Sequence, residues 1–334
     1  DVLADQCTPQ VVRAIEEGGR TAEATTDLWE QLEATGLADA LLSEDAGGAG
    51  LGLGQVFGVL EQCGAHALPL PLGETMVARA LLAQAGVARP AGSIALARGE
   101  HLANGGLRCA LVRSGQVAAA VLVQTGTEWR LLNTADAQGA AQALALDAAL
   151  TWTAVQVQAA PAVEVNGALD VRTLQAAVVA AQMAGALKAV FDRTLQYANE
   201  RQQFGRPIGK FQAIQHQLAV MSEHVFAARM AAQLGCSAGH DGMGVVPDRL
   251  RVATAKARCS EAALVVSELA HAIHGAIGFT EEYDLQLFTR RLHAWRQTAG
   301  SEAYWYGVAG EALLHHQGMT LDIVRRITDV DTVL

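Results

Sequence analysis

The chain has 334 residues, of which 51% are hydrophobic, 17% charged and only 5% aromatic, and its formal net charge is −10. That length passes the roughly 250–300 residues at which one core stops growing, so two or three packed units are expected, and the abundance of alanine favours helices packed through small side chains. The acidic balance opposes a sequence-independent grip on nucleic acid or an anionic membrane, both of which need clustered Lys and Arg, and leaves small molecules or proteins as partners.

The first residues, Asp1-Val-Leu-Ala-Asp-Gln-Cys7, form neither a basic leader nor an apolar signal core. No apolar run is read as reaching the roughly 18 residues of a bilayer span, so a cytoplasmic protein is expected. Residues 10–87 predict helices, with Trp29, Leu32, Leu37, Val56, Leu60, Val77 and Leu81 at helical intervals. The glycine-rich stretch Ala46–Gly54 between them matches neither GxGxxG after a strand nor a P-loop before a helix, and predicts a tight turn.

From Arg89 to about Val165 the pattern changes. Ser93–Ala97, Cys109–Val112, Val117–Val123, Trp129–Leu132 and Ala154–Val157 are short, β-branched or alternating segments separated by Gly, Asn, Asp and Ser, which predicts a compact β unit. Helical periods return at Leu169. One stripe runs through Leu174, Val178, Ala181, Ala184, Leu187, Phe191, Leu195 and Ala198, and a second through Phe211, Ile214, Leu218, Met221 and Val225. Further helices are expected over about 247–274, 282–314 and 318–331, and long helices with short joints predict a four-helix bundle. The expected class is α+β, mostly α: an N-terminal helical domain at 1–88, a reduced middle β domain at 89–166 and a C-terminal helical bundle at 167–334. Cys7, Cys63, Cys109, Cys236 and Cys259 are odd in number, far apart and never CxxC, and read as reduced packing thiols.

Two joints in the helical region carry chemistry. Within Tyr197–His216, the run Arg201-Gln-Gln-Phe-Gly205 offers a guanidinium fork for a diphosphate and an aromatic face for an adenine or flavin ring, and Gly205 and Gly209 let backbone approach closely. On composition alone, the plainer reading is an ordinary turn with Arg201 in a surface ion pair. The second joint, Ala272–Asp284, ends one helix with Gly and opens another near acidic residues. His271 and His274 have no carboxylate or Cys ligand set around them and read as structural, so no metal is expected.

With Ile208, Phe211, Gln212, His216 and Leu218 at matching spacing, the first joint resembles the interhelical turn of acyl-CoA dehydrogenases. The order of helices, β unit and bundle is similar to that family over nearly the whole chain. The resemblance implies that Arg201, Gln203 and Phe204 reach across a subunit interface to a neighbour's FAD. The second joint resembles the family's glycine-rich signature, whose leading Gln and paired glycines contact the ADP part of the cofactor. Here Ala272 stands at the Gln and Ala276 at the second Gly, while Gly275, Gly278, Phe279 and Glu282 remain. FAD contacts are therefore expected from Arg201, Gln203, Phe204, Gly275 and Ala276.

The family's reaction needs a carboxylate that removes the thioester α-proton while the β-hydrogen leaves as hydride to the flavin. The resemblance places that base at Ala299, just before Gly300, or, as in some members, at Gln175; neither side chain is a useful proton acceptor. Asp170 and Glu302 are the candidate replacements, the first read rather as a helix N-terminal charge and the second as a solvated-face charge. No catalytic residue is thus expected. The middle unit also lacks the Thr-Glu-Pro or Ser-Glu-Pro run ending in Gly-Ser-Asp with which members hold the flavin ring, and Trp129 and Trp152 read as half-buried strand aromatics. The resemblance implies the non-catalytic subunit of a heteromeric, heterotetrameric bacterial enzyme of the steroid type, a resemblance also carried by Gly278–Leu285 and Arg290-Arg291. It further implies a homologous catalytic partner, FAD held mainly by that partner, and an acyl-CoA substrate. Two alternatives stand beside it: a self-sufficient FAD-dependent dehydrogenase with a displaced base, and a flavin-free helical interaction protein.

Overall fold

The computed structural model of the protein describes residues 2–144, 146–165, 167, 169–237 and 246–329. Among these the fold is mostly helical with small sheets, as the sequence predicts. The chain divides into two compact units. One is built from the N-terminal part as far as Val178 apart from Phe57–Ala67, and the other from Phe57–Ala67 and most of the chain beyond Val179.

The first unit opens with α1 (Val2–Gln6), α2 (Pro9–Gly18) and α3 (Glu23–Ala34). Thr8 starts α2 by accepting the Val11 N–H, with Pro9 at the first helical position, where a missing N–H costs nothing. The glycine-rich stretch forms turns, with Gly47 and Gly50 at positive φ. After α4 (Phe57–Ala65), which belongs to the second unit, α5 (Leu72–Gln84) is buried through nearly its whole length.

Two small sheets follow. In the first, β1 (Ile94–Arg98) runs parallel to β4 (Ala120–Thr125), which pairs antiparallel with β5 (Glu128–Asn133). The second is antiparallel in the order β2 (Glu100–His101), β3 (Leu107–Val112), β7 (Ala148–Trp152) and β6 (Gln138–Ala141). Alternate residues Ala95, Ala97, Leu107, Cys109, Val121, Val123, Leu150 and Trp152 share one core, the period-two burial expected of strands with one face inward.

Ala154–Val157, expected as a strand, is the start of a helix, α6 (Ala154–Ala159). Thr153 and Gln156 form a reciprocal capping box, with the Thr153 N–H donating to Gln156 Oε1 at 2.7 Å, so the local start signal overrides the alternation of Val155 and Val157. The strand in this region is β7, whose Ala-rich sequence has little β-propensity and which is held by ladders to β3 and β6. Trp129 and Trp152 are buried rather than half-buried, and Trp152 Nε1–H donates to Asn133 O.

The helical region comprises α7 (Val171–Glu200), α8 (Gln212–Cys236), α9 (Arg249–His274), α10 (Leu285–Gln297), α11 (Glu302–His315) and α12 (Thr320–Thr328). The helix expected over 318–331 is α12, its last two residues lying outside the described residues. Asp248 caps α9 by accepting the Leu250 and Arg251 N–H groups at 2.9 and 3.0 Å. α4 and α7 touch backbone to backbone: a Cβ on Gly64 would lie 1.8 Å from Gln182 O, and one on Gly185 1.8 Å from Glu61 O. The single helix expected over 282–314 is two, because Ala299 and Gly300 take φ of 58° and 106° and Ser301 restarts the helix by accepting the Tyr304 N–H. All five cysteines are buried and unbridged, and burial pushes the Cys109, Cys236 and Cys259 thiols up to about 12. By length and composition, Val171–Glu200 and Arg249–Phe279 are apolar enough to cross a membrane, more than the sequence reading allowed. For the first, 83% of the apolar window is buried within the fold, which is what an Ala-rich core helix of a bundle requires.

Candidate functional site

The first joint is a small hairpin set between two helices. α7 ends as the Arg201 N–H reaches Tyr197 O at 2.8 Å, and Arg201 O then accepts the Ile208 N–H. Between them β8 (Gln202–Gln203) pairs with β9 (Arg206–Pro207) across a two-residue loop, Phe204-Gly205, with φ of 54° and 77°. Positive φ at both loop positions is the geometry that matches strand twist, which suits Gly205 and strains Phe204. The Phe204 side chain is 90% exposed. The Arg206 guanidinium lies 4.2 Å over the Phe211 ring. Among the described residues Arg201 has no acid within ion-pair range, so its exposed guanidinium is not held by the surface ion pair that composition suggested.

The second joint is the end of α9. Gly275 at φ 64° turns the chain, its N–H bonding to His271 O, and the tight turn Gly275–Phe279 leads toward α10. Gly278 is packed against His271, His274 and Leu285, where a Cβ would find atoms at 3.1–3.2 Å. His274 is buried, its ring stacked on Tyr197 at 4.4 Å and 24°. Its Nδ1 lies 2.8 Å from Ala270 O and its Nε2 3.3 Å from the Tyr283 hydroxyl. Both His271 and His274 are held below the ordinary imidazole value, chiefly by burial.

These two joints, distant in sequence, form one cleft of about 370 Å³. Arg201, Gln203, Phe204 and Phe211 line it from the hairpin side, and Ala272, His274 and Gly275 from the end of α9. Four of the five residues expected at a cofactor meet there; Ala276 is exposed beside it and is not part of the lining. A Cβ on Gly205 or Gly275 would meet nothing within 4 Å, so both backbones face open space. A second cleft, of about 440 Å³, lies in the strand-rich unit against Leu131, Asn133, Trp152, Val155 and Gln156. There the Gln156 amide already donates to Asp136 O.

The positions at which the resemblance puts a base do not line this cleft. Ala299 sits in the turn between α10 and α11, where its carbonyl accepts the Trp305 Nε1–H at 3.1 Å. Lys256, fully buried on α9, donates to Gly300 O, Arg296 O and Ser260 Oγ, each at 3.0 Å. Burial lowers its pKa to about 8. Glu302 does not stand on a solvated face: it pairs with Arg296, which donates through Nε at 3.2 Å, and this hydrogen bonding holds its carboxyl below the usual value. A general base would need the opposite shift. Asp170 accepts the Arg172 N–H and the Thr173 hydroxyl at the start of α7, a capping role. In the first unit, Gln175 is buried, donates to Leu96 O at 2.6 Å and hydrogen-bonds Glu74, a fully buried acid on α5. Glu74 in turn accepts the Leu96 N–H and faces Arg113. Glu74, Arg113 and Lys256 were missed from sequence, because an isolated charge in an apolar helix carries no local sign of its partner. Among the described residues no group of three His, Cys, Asp or Glu could hold a metal ion.

Residues 171–314 match the profile of the acyl-CoA dehydrogenase C-terminal domain. The chain is 31% identical over 304 residues to the acyl-CoA dehydrogenase IpdE2 of Mycolicibacterium smegmatis, covering 90% of this chain and 91% of that protein. It is 30% identical over 310 residues to the acyl-CoA dehydrogenase FadE34 of Mycobacterium tuberculosis, of whose length the match covers 42%. Among solved structures, a variant of the Tcur3481-Tcur3483 steroid ACAD superposes with a TM-score of 0.79 at 27% identity, covering 94% of both chains. The ChsE4-ChsE5 complex from Mycobacterium tuberculosis has a TM-score of 0.80 at 22% identity, covering 95% of both, and shares the fold. With a relative of this identity matched along nine-tenths of both chains, and a profile match centred on the bundle that carries the two joints, the chain belongs to the acyl-CoA dehydrogenase family, FAD-binding oxidoreductases that act on CH–CH donors.

Proposed function

We propose that this chain is the non-catalytic subunit of a heteromeric acyl-CoA dehydrogenase, supplying contacts to the ADP end of an FAD held mainly by a homologous catalytic subunit. One observation carries the reading: Arg201, Gln203, Phe204 and Gly275 converge on one cleft, and the positions at which the resemblance puts a base hold Ala299 and Gln175, neither of which accepts a proton. The residues present fit part of the cofactor. Arg201 can form a charged fork to a diphosphate, the exposed Phe204 ring gives a face for an aromatic system, and Gly275 leaves room for a close backbone approach; Ala276 would contribute through its main chain. FAD, when bound, supplies the acceptor for the substrate's β-hydride. In this chain Asp170 caps a helix and Glu302 is tied to Arg296, so the proton is removed by the partner. Exposed Phe226, Met230, Leu314 and Met319 in the second unit are apolar surface of the kind that a subunit interface covers. The two-component name of the Tcur3481-Tcur3483 steroid ACAD supports a heteromer and a steroid-derived acyl-CoA as substrate.

The test is co-expression with a homologous catalytic acyl-CoA dehydrogenase subunit, measuring flavin per complex and turnover of an acyl-CoA. Full flavin occupancy and turnover by this chain alone would sink the reading. In the complex, Arg201→Ala is expected to weaken FAD retention by about 1.5–3 kcal/mol, the range for a hydrogen bond to a charged group. Unchanged retention would remove Arg201 from the site.

A further inference from the structure

Among the described residues the two helix ends that form the cofactor cleft share no backbone hydrogen bond, and one buried side chain joins them. His274 is the last residue of α9, directly before Gly275, and its ring lies on that of Tyr197, whose carbonyl holds the Arg201 N–H. The Tyr197 hydroxyl is 3.4 Å from His274 O, so Tyr197 touches both the ring and the main chain of His274. Tyr283, which follows the glycine-rich turn, closes the group with its ring edge to Tyr197 at 6.1 Å and its hydroxyl toward His274 Nε2.

The tautomer follows from the partners. A backbone carbonyl can only accept, so the 2.8 Å contact to Ala270 O places the hydrogen on Nδ1. Nε2 is then left with a lone pair, and the Tyr283 O–H donates to it. A protonated imidazole would carry hydrogen on both nitrogens, and the contact would then persist only with the roles reversed, Tyr283 turning its hydroxyl away to accept. The groups around it give no carboxylate in contact: Tyr197 on α7, Tyr283 beyond the turn and His271 on its own helix, with Arg193, Glu200 and Asp284 around Tyr283.

We propose that His274, as the neutral Nδ1–H tautomer, is the positioning residue that fixes the Arg201 hairpin against the Gly275 turn and so sets the spacing of the cofactor cleft. This rests on the reading that the cleft takes the ADP end of FAD. The contacts of His274 run through Tyr197 and Tyr283, and not to the reacting atoms. Burial keeps the ring neutral at neutral pH, so the arrangement is complete there and is disturbed as pH falls.

The experiment uses the complex with its partner subunit and reads FAD retention by flavin fluorescence across a pH series, with three variants of this chain. His274→Phe keeps a flat ring but no acceptor, and is expected to weaken retention about tenfold at every pH, a loss equal to about 1.4 kcal/mol. His274→Gln keeps an acceptor for Tyr283 and cannot titrate; it is expected to stay within about threefold of wild type at neutral pH and to lose the acid-dependent fall. Thermal melting of each complex separates loss of the fold from loss of the cleft. Wild-type retention and acid profile in His274→Phe would overturn the proposal, as would an acid-dependent fall that persists in His274→Gln. Arg201→Ala distinguishes the two levels: if it weakens retention while His274→Phe does not, the positioning role fails and the cofactor reading stands. If neither has an effect, both fall.

Discussion

Phe204 adopts φ of 54° at the tip of a hairpin where Asn-Gly is the favoured pair, and leaves its ring 90% exposed. A non-glycine side chain in the left-handed region costs about 1–2 kcal/mol, and exposure returns no burial to offset it. Strain at an exposed aromatic agrees with the cofactor contact proposed for Phe204. Phe204→Asn is therefore expected to raise stability by about 1 kcal/mol while lowering FAD retention in the complex. A variant that melts lower than wild type, or that holds FAD equally well, would contradict this. Gln175 is the opposite case. Its amide both donates to Leu96 O and bonds Glu74, so the side chain is part of a buried polar group in which a second carboxylate would stand beside the first.

Among the elements, α4 and α7 touch main chain to main chain, because Gly64 and Gly185 let one backbone rest on the other. Gly185→Ala puts a Cβ 1.8 Å from Glu61 O, which only separation of the helices relieves. It would also disturb the Glu61–Arg229 pair, at 3.2 Å between Nη2 and Oε2. The expected loss is about 1–3 kcal/mol by denaturant unfolding, and an unchanged midpoint would show that the contact yields. The stripes of α7 and α8 and the two joints were legible in the sequence because period and turn chemistry are local. The identity of β7 was not, since Ala148–Trp152 owes its conformation to its neighbours β3 and β6. Nor was the break at Thr298–Ser301, where Ala299 takes a conformation its side chain does not favour. In the site, Arg201, Gln203 and Phe204 announced themselves as a run. The link from Tyr197 through His274 to Tyr283 did not, because it joins residues 77 apart by ring packing and weak polar contacts.

At the scale of the whole molecule, burial lowers the pKa of His66, His224, His271 and His274 below the ordinary 6.5. Between that value and the lower folded values the unfolded chain binds more protons, so stability falls as pH drops through about 6.5 and is flat above it with respect to these groups. Asp248 and Glu302, depressed below 3.8 and 4.5, add a further fall in stronger acid, because the unfolded chain takes up these protons before the folded one does. Thermal midpoints measured from about pH 7.5 down to about 5.5 should decline; a level profile would contradict the burial of these rings. A different kind of robustness lies at the α10–α11 turn. Lys256 and Trp305 grip it through the carbonyls of Arg296, Ala299 and Gly300, hydrogen bonds that do not depend on which side chain stands at position 299. The shape of the loop is thus written in main-chain carbonyls. A substitution at position 299 leaves these donors and acceptors in place, so the turn tolerates a change of side chain there.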